Sequence, residues 1–233
     1  MVVGNGMVAS KFIHYSERDD VIIFASGVSN SKLAIKTEFE REKKLLCKIL
    51  LNNTAKKLIY FSTFNLYDPV EKTSPYCLHK SDMEDFISFN VPNYNIFRLG
   101  HVAGASAKEY TILSFLFNSI KNGSSFNLWK YASRNIIDID DVSKICTYII
   151  DNNLYENEVT NICNSYNSSI IELVTILEKV LSEKANYKIV EAGESPNFDN
   201  SKIELISKEL GISFDKNYVK DVILKYYSIS DLG

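Results

Sequence analysis

The sequence predicts an α/β protein with a Rossmann-like, mostly parallel sheet flanked by helices. Two observations lead to this prediction: short apolar runs rich in β-formers alternate with amphipathic helical segments, and a glycine turn directly follows the first run. The apolar runs begin near Val2, Val21, Leu58 and Tyr94. Because sequential strands of such folds usually lie side by side, we expect the four strands in that spatial order.

Composition limits the class of protein. The chain has 233 residues, of which 45% are hydrophobic and 24% charged, with a formal net charge of −3. These values are typical of a globular protein and give no indication of nucleic-acid binding. No apolar run reaches the length of a membrane span, the N-terminus lacks a signal-peptide pattern, and the four cysteines are scattered. We therefore expect a cytoplasmic protein with reduced thiols, no metal, and no nucleic-acid or membrane partner.

The first glycine turn has the sequence GxGxxA and stands between a short strand and a helix predicted to run through Arg18. Glycines at this place allow a tight turn and the close approach of a pyrophosphate, and the helix start supplies free N–H groups. The candidate contacts are Gly4, Gly6, Met7 and Val8. Alone, the pattern is weak, because a glycine turn is common in any α/β protein.

A second stretch carries candidate catalytic chemistry. An apolar strand beginning at Leu58 ends in Ser62 and Thr63, and Tyr76 and Lys80 follow at the start of a helix. Residues four apart share one helix face, so a phenol and an ammonium can converge on a strand-end hydroxyl. A nearby lysine favours the phenolate, which predicts a lowered pKa for Tyr76 and proton exchange near neutral pH. The alternative is an interfacial tyrosine beside a solvated lysine.

Together these motifs resemble the extended short-chain dehydrogenases/reductases, in the NAD-dependent epimerase/dehydratase group that acts on nucleotide sugars. The resemblance rests on the glycine turn, the strand ending in Ser/Thr, and the YxxxK of Tyr76 and Lys80. It implies NAD or NADP as cofactor, a nucleotide-sugar substrate and a role in polysaccharide biosynthesis. It also implies Thr63, Tyr76 and Lys80 as catalytic residues.

Further segments extend the resemblance over almost the whole chain. The strand near Val21 ends in small residues that the family places beside the nicotinamide ribose, and the segment after Tyr94 resembles a cofactor and substrate junction. The additional cofactor contacts that this implies are Ala25, Ser26, Gly27, Ser62, Tyr76, Lys80 and His101. The implied substrate contacts are Asn65, His101 and Arg134. A hydrogen-bonding wall residue is the favoured interpretation of His101, ahead of a general base.

The sequence departs from the family near the N-terminus. A strand–helix–strand unit normally separates the glycine turn from the strand near Val21, and too few residues lie between them here. That unit carries the residue that reads the adenosine ribose, so the sequence cannot distinguish NAD from NADP. We expect a sheet shortened by this unit, with weakened cofactor binding as one consequence.

The two residues after Thr63 limit the reactions that the sequence allows. The corresponding positions in the family's dehydratases carry an Asp and a Glu, whereas this chain has Phe64 and Asn65. Neither side chain can transfer a proton at neutral pH, which argues against dehydration and base-driven epimerisation at C3 or C5. An NAD(P)-dependent reductase or a redox 4-epimerase remains. The alternative is a catalytically silent binding or regulatory protein on the same scaffold.

The predicted organisation is a single unit over residues 1–233. Its Rossmann part covers about 1–105 and 134–165, and its substrate lobe about 106–133 and 166–233. The family's dimer interface implies a homodimer through helices near 38–51 and 76–89. Asp140 and Asp141 are predicted to cap a helix over residues 142–150.

Overall fold

The computed structural model describes residues 1–30, 32, 34–105 and 111–228. Its strands, in chain order, are β1 (Val2–Val3), β2 (Val21–Phe24), β3 (Lys57–Thr63), β4 (Tyr94–Leu99), β5 (His101–Ala103), β6 (Phe126–Trp129), β7 (Ser133–Arg134), β8 (Ile136–Asp138), β9 (Glu158–Ile162), β10 (Ser168–Ser169) and β11 (Tyr187–Val190). Its α-helices are α1 (Met7–Lys11), α2 (Lys36–Leu51), α3 (Pro75–Asn90), α4 (Ile112–Lys121), α5 (Ile139–Asp151), α6 (Ile170–Leu181), α7 (Ser201–Glu209) and α8 (Tyr218–Tyr227).

The main sheet is parallel throughout, in the order β1-β2-β3-β4-β9. This confirms the predicted α/β fold class and the predicted spatial order of the first four strands. Within the described residues no strand pairs with the other side of β1, so the shortened Rossmann sheet is also confirmed. Three small two-stranded sheets, β5 with β8, β6 with β11 and β7 with β10, complete the architecture.

Helices cover both faces of the sheet. Since successive side chains of a strand point to opposite faces, the side chains of one strand are buried alternately on the two sides. In β2, Ile23 packs with one core cluster while Ile22 and Phe24 pack with another. The first cluster joins the sheet to α1, α5 and α7, and the second joins it to α2 and α3. This double coverage explains why the strands read as continuous apolar runs and not as an alternating pattern.

A separate core cluster holds α4, α6, α8 and β6 together. Its members come mainly from the segments predicted as the substrate lobe. The helix α7 is different, because Ile203 and Ile206 pack into the main core beside α5. The predicted domain boundaries stay a prediction, and α7 is the part of the predicted lobe that contacts the sheet layer most directly.

Three local predictions differ from the structure. The helix after the glycine turn ends at Lys11 and is followed by a 3-10 turn, so it does not run through Arg18. The cap of α5 is Asp138, whose side chain accepts from the N–H of Asp140 at 2.8 Å; the predicted caps Asp140 and Asp141 lie inside the helix. The helix α8 was not predicted, although Gly211, Asp215 and the cap residue Asn217 precede it.

The four cysteines are all free thiols, as predicted. No helix in the described part of the chain is long and apolar enough to cross a membrane.

Asp138 generates a test of the fold, because its carboxylate joins two helices. Besides capping α5, it accepts from Lys225 Nζ at 2.7 Å and from Tyr226 Oη at 2.8 Å, both on α8. We expect Asp138→Ala to lower the free energy of unfolding by about 2 kcal/mol, since a cap and hydrogen bonds to a buried carboxylate are lost together. Urea unfolding measures this, with exposed Asp85→Ala as the control. Equal stability of the two variants would contradict the role of Asp138.

Candidate functional site

The candidate site lies where the parallel strands end. Because parallel strands present their carboxyl ends at one edge, the turn after β1, the small residues after β2 and the hydroxyls at the end of β3 come together there. Gly4 has a φ of +128°, and a Cβ at this position would lie 2.5 Å from the carbonyl oxygen of Ala25. A Cβ at Gly6 would meet no atom within 4 Å. The turn therefore requires glycine at position 4 and leaves open space beside position 6.

Tyr76 is fixed by the start of α3. Ser74 is the N-cap and accepts from the N–H of Cys77 at 3.2 Å, and Pro75 occupies the first helical position, where its missing N–H costs nothing. The ring of Tyr76 is 6% exposed and packs with Val28 and its partners Phe39 and Leu66. Its hydroxyl lies close enough to the side chain of Thr63 for the two groups to interact, which acts to lower the pKa of the phenol. The predicted pairing of the phenol with the strand-end hydroxyl is thus present.

The electrostatic expectation for Tyr76 was wrong. Burial raises the pKa of this phenol above its usual range, the interaction with Thr63 acts in the lowering direction, and the charges of Cys77 and Glu42 raise it further. The predicted lowering depended on a free lysine cation beside the ring. The position of Lys80 explains why that effect is missing.

Lys80 is 2% exposed, and its ammonium is bonded to partners other than Tyr76. Its Nζ donates to Glu42 Oε1 at 3.0 Å, to Tyr60 Oη at 3.0 Å and to the carbonyl oxygen of Phe61 at 3.4 Å. An ammonium has three N–H donors, so all of them have partners. Lys80 and Tyr76 are one turn apart on α3, but their polar atoms have separate partners.

Glu42 is the residue that sequence reasoning missed. It is fully buried and accepts four hydrogen bonds: from Val28 N at 2.7 Å, Tyr60 Oη at 2.6 Å, His79 Nε2 at 3.0 Å and Lys80 Nζ at 3.0 Å. Burial alone would raise the pKa of this carboxyl, but the charge of Lys80 and the three other donors outweigh burial and lower it well below its usual value. The carboxylate is therefore ionised at neutral pH.

One sequence signal could have found Glu42. It stands three residues after Phe39 and four before Leu46, on the stripe that packs against the sheet. A lone carboxylate on the buried stripe of a helix requires a cation or several donors, because an unpaired buried charge is costly.

Ser62 is hydrogen-bonded to a second ion pair, which is formed by Glu84 and Arg98. Its hydroxyl donates to Glu84 Oε1 at 2.5 Å, and Arg98 holds the same carboxylate through Nε at 2.9 Å and Nη2 at 2.6 Å. This fork joins β3, α3 and β4 below the site. Ser62 therefore has a structural partner, whereas Thr63 contacts Tyr76.

The residues predicted to contact the substrate are Asn65, His101 and Arg134. Arg134 forms an ion pair with Asp68 at 3.2 Å and donates to the carbonyl oxygen of Ser133 at 2.8 Å. His101 has a buried Nδ1 without a hydrogen-bond partner, and burial followed by the charge of Arg134 lowers its pKa to about 3. Its imidazole is neutral and unable to serve as a cationic contact. Asn65 is half-buried, and its N–H donates to Thr63 Oγ1 at 3.2 Å.

A polar groove adjoins this edge. Its volume is about 560 Å³, and it lies between the loop after β9 and the start of α7. The rim residue Phe198 packs edge-to-face on Phe64, the residue after Thr63, with ring centroids 4.8 Å apart. The other lining residues are Ser165, Tyr166, Asn167, Ser195, Pro196, Asn197, Asp199, Asn200, Ser201 and Glu204. The lining is rich in hydroxyls and amides and contains no cation.

Comparison with known proteins gives a structural answer only. No family model matches the sequence, and no curated protein is a detectable relative. Solved structures do match. The UDP-glucose 4-epimerase of Thermotoga maritima, solved with UDP-glucose, has a TM-score of 0.71 at 17% identity, over 98% of this chain and 84% of that chain.

Two further solved structures have the same fold. The dTDP-glucose 4,6-dehydratase of Bacillus anthracis, in complex with NAD, matches with a TM-score of 0.68 and 16% identity, over 97% of this chain and 78% of that chain. The enzyme WbmH of Bordetella bronchiseptica, in complex with NAD⁺, matches with a TM-score of 0.69 and 16% identity, over 97% of this chain and 83% of that chain. The fold is that of the NAD-dependent nucleotide-sugar epimerases and dehydratases, as the sequence motifs predict.

The lowered pKa of the Glu42 carboxyl predicts acid sensitivity. In the unfolded chain this group has a pKa of about 4.5, and in the folded chain a lower one. Its contribution to stability is therefore complete above about pH 4.5 and is lost as the pH falls toward the folded value. We expect the parent to lose more unfolding free energy between about pH 6 and pH 3 than Glu42→Gln/Lys80→Met, which removes both charges. If urea unfolding showed the same loss of unfolding free energy at low pH in the parent and in the double variant, an ionised Glu42 would be contradicted.

Proposed function

We propose that this protein is an NAD(P)-dependent oxidoreductase of nucleotide-activated sugars, acting as a reductase or as a redox 4-epimerase. The observation that carries the proposal is the interaction of the Tyr76 phenol with the side chain of Thr63 at the carboxyl edge of the sheet. The glycine turn belongs to the same edge of the sheet, and the polar groove adjoins this edge through the contact of Phe198 with Phe64. A two-part site of this kind suits a dinucleotide and a sugar ligand.

The chain's own groups supply proton transfer and orientation. Tyr76 donates its hydroxyl proton to a sugar carbonyl oxygen, or accepts one from a sugar hydroxyl in the opposite direction. The Thr63 hydroxyl donates a hydrogen bond to the same oxygen and holds it beside the phenol. The bound dinucleotide would supply or accept the hydride at the sugar carbon. The low exposure of Tyr76 keeps this proton transfer away from bulk water.

The residues at the strand ends fit a dinucleotide in part. Gly4 and Gly6 leave the backbone of the first turn accessible, and His101 presents a buried ring nitrogen without a partner at the same edge. Ala25, Ser26, Gly27, Met7 and Val8 complete the set that would surround the cofactor. Lys80 differs, since a ribose hydroxyl would have to compete with Glu42 for its ammonium.

The groove suits the sugar part of the ligand. Hydroxyls and amides such as those of Asn167, Ser195 and Asn200 form directional hydrogen bonds to sugar hydroxyls, and the ring of Phe198 provides an apolar wall. The diphosphate would have to displace Asp68 to reach Arg134. Asn65 and His101 are the proposed contacts nearest to the reacting carbon.

A second function is supported by one observation. Lys80, Arg98 and Arg134 are each paired with a carboxylate of the chain itself. A site whose buried cations are all neutralised attracts a pyrophosphate weakly. This favours the alternative of a scaffold that binds another ligand or protein without catalysis, and titration with NADH and NADPH distinguishes the two.

The test of the enzyme is Tyr76→Phe. We expect NADH or NADPH to bind the parent and the variant alike, and turnover on a panel of nucleotide 4-keto-sugars to fall by about 10²-fold or more, since only the exchangeable proton is lost. Melting-shift titration measures binding, and steady-state kinetics measures turnover.

Thr63 provides the matched controls. Thr63→Ala should reduce turnover less than Tyr76→Phe, because the substrate oxygen keeps its bond to the phenol, and Thr63→Ser should retain nearly full turnover. Unchanged turnover of a folded Tyr76→Phe would refute the catalytic proposal. Absence of binding by either dinucleotide would favour the binding-protein alternative.

We also propose a homodimer through α2 and α3. The two helices cover the same face of the sheet, where Lys43 of α2 lies over the ring of Phe86 of α3 at 5.2 Å. Near their ends Leu51 and Phe89 are exposed, the latter at 89%. Large exposed apolar side chains on neighbouring helices are typical of an interface.

Sedimentation analysis tests the dimer. We expect Leu51→Glu/Phe89→Glu to be monomeric at concentrations where the parent is dimeric, because two charges would be buried in the interface. The matched control is Leu205→Glu, an exposed apolar residue on α7. A monomeric parent, or equal assembly of all three proteins, would refute this interface.

A further inference from the structure

We propose that Glu42 is a positioning residue that binds and neutralises the ammonium of Lys80, so that the site favours reduction of a sugar carbonyl over oxidation of a sugar hydroxyl. This inference rests on the proposed function and chooses between its two reactions. It assigns a keto-sugar nucleotide as the substrate class.

The first step of the argument is the geometry of Lys80. Its three donors are used by Glu42, Tyr60 and the Phe61 carbonyl, so none remains for the Tyr76 hydroxyl. The backbone of Gly27 lies directly against this ion pair. A Cβ at this position would lie 2.7 Å from Lys80 Nζ and 2.8 Å from Glu42 Oε1. The ammonium and the carboxylate are held together under the segment that follows β2.

The second step is the set of groups that surround Tyr76. Thr63 faces it from β3, Cys77 adjoins it on α3, and Glu42 acts on it from α2. The phenol of Tyr60 on β3 interacts with it as well. The apolar side chains Val28, Phe39 and Leu66 belong to the same cluster. The ion pair of Lys80 with Glu42 has no net charge, and His79 is bonded to the same carboxylate. Within the described part of the chain, no uncompensated cation therefore acts on the phenol from the elements packed against it.

The third step is the chemistry that a protonated phenol performs. For reduction, the reduced nicotinamide proposed as cofactor would supply the hydride that adds to the carbonyl carbon as the C=O π bond opens. The Tyr76 proton moves to the oxygen, leaving an alcohol, the oxidised nicotinamide and a phenolate that water reprotonates. Burial keeps the pKa of Tyr76 above its usual range, so the proton is present throughout the neutral pH range.

The opposite reaction needs the deprotonated form. A redox 4-epimerase begins by oxidising a hydroxyl, for which Tyr76 must accept a proton and so must be a phenolate. With a raised pKa, this form is scarce at neutral pH and rises about tenfold per pH unit. The oxidation rate should therefore climb with pH while the reduction rate stays flat.

The first measurement uses the parent protein without any ligand. NMR of protein carrying tyrosine labelled at Cζ follows each phenol through a pH titration, and Tyr76→Phe identifies the signal of Tyr76. We expect Tyr76 to remain a phenol beyond the ordinary tyrosine pKa of about 10. Titration of Tyr76 below that value would overturn the inference without reference to any other variant.

The second measurement separates the charge of Glu42 from its structural role. Glu42→Gln leaves the Lys80 cation uncompensated, and we expect the apparent pKa of Tyr76 to fall by at least about 1. The matched control is Glu42→Gln/Lys80→Met, which perturbs the same contacts without a free cation and should keep the value of the parent. Equal titration of Tyr76 in both variants would overturn the inference, since it would leave Glu42 only a structural role.

The third measurement links the titration to the reaction. With NADH or NADPH and a nucleotide 4-keto-sugar, the parent should reduce at a rate independent of pH, and Glu42→Gln should gain about tenfold in oxidation relative to reduction at neutral pH. If a dinucleotide binds but Tyr76 titrates low, this inference fails and the proposed function stands. If neither dinucleotide binds, the proposed function fails and the reductive role fails with it.

Discussion

The buried carboxylate of Glu42 is the interaction on which the site depends. It joins α2 to β3 through Tyr60, to α3 through His79 and Lys80, and to the segment after β2 through the N–H of Val28. A charge without exposure is tolerable only when such donors replace water. Removing Glu42 or Lys80 leaves the other charge uncompensated where the three elements meet. We expect the orientation of the remaining side chain and the close approach of the Gly27 backbone to change together.

The parallel sheet sets the second constraint. Its strand ends place the glycine turn, Thr63 and the His101 segment at one edge, and two helix layers bury the sheet on both faces. The edge strand β1 has only two residues, and within the described residues no strand pairs with its outer side. The shortened sheet keeps a closed core because α1 and α5 cover one side of it while α2 and α3 cover the other.

Three ion pairs, one of them fully buried and two partly buried, give this site its electrostatic character. Glu42 with Lys80, Glu84 with Arg98 and Asp68 with Arg134 each neutralise a cation near the strand ends. An ion pair inside a protein stabilises little beyond the cost of its own desolvation, but it fixes orientation and removes net charge. The site therefore has directional hydrogen bonds and a protonated phenol where the sequence motif suggested a free lysine and a phenolate.

The sequence by itself determined the parallel fold, the strand order, the absence of the unit beside Val2 and the meeting of Thr63 with Tyr76. These follow from local patterns: apolar runs, helical spacing, and the rule that parallel strands end at one edge. Only the tertiary structure decided the partner of Lys80, since Glu42 lies 38 positions earlier in the chain. The tertiary structure also decided that Asp138, and not Asp140 or Asp141, caps α5, and that Arg134 pairs with Asp68. The reason is that a charge selects among all groups brought within a few ångströms, and that set exists only after the helices have packed.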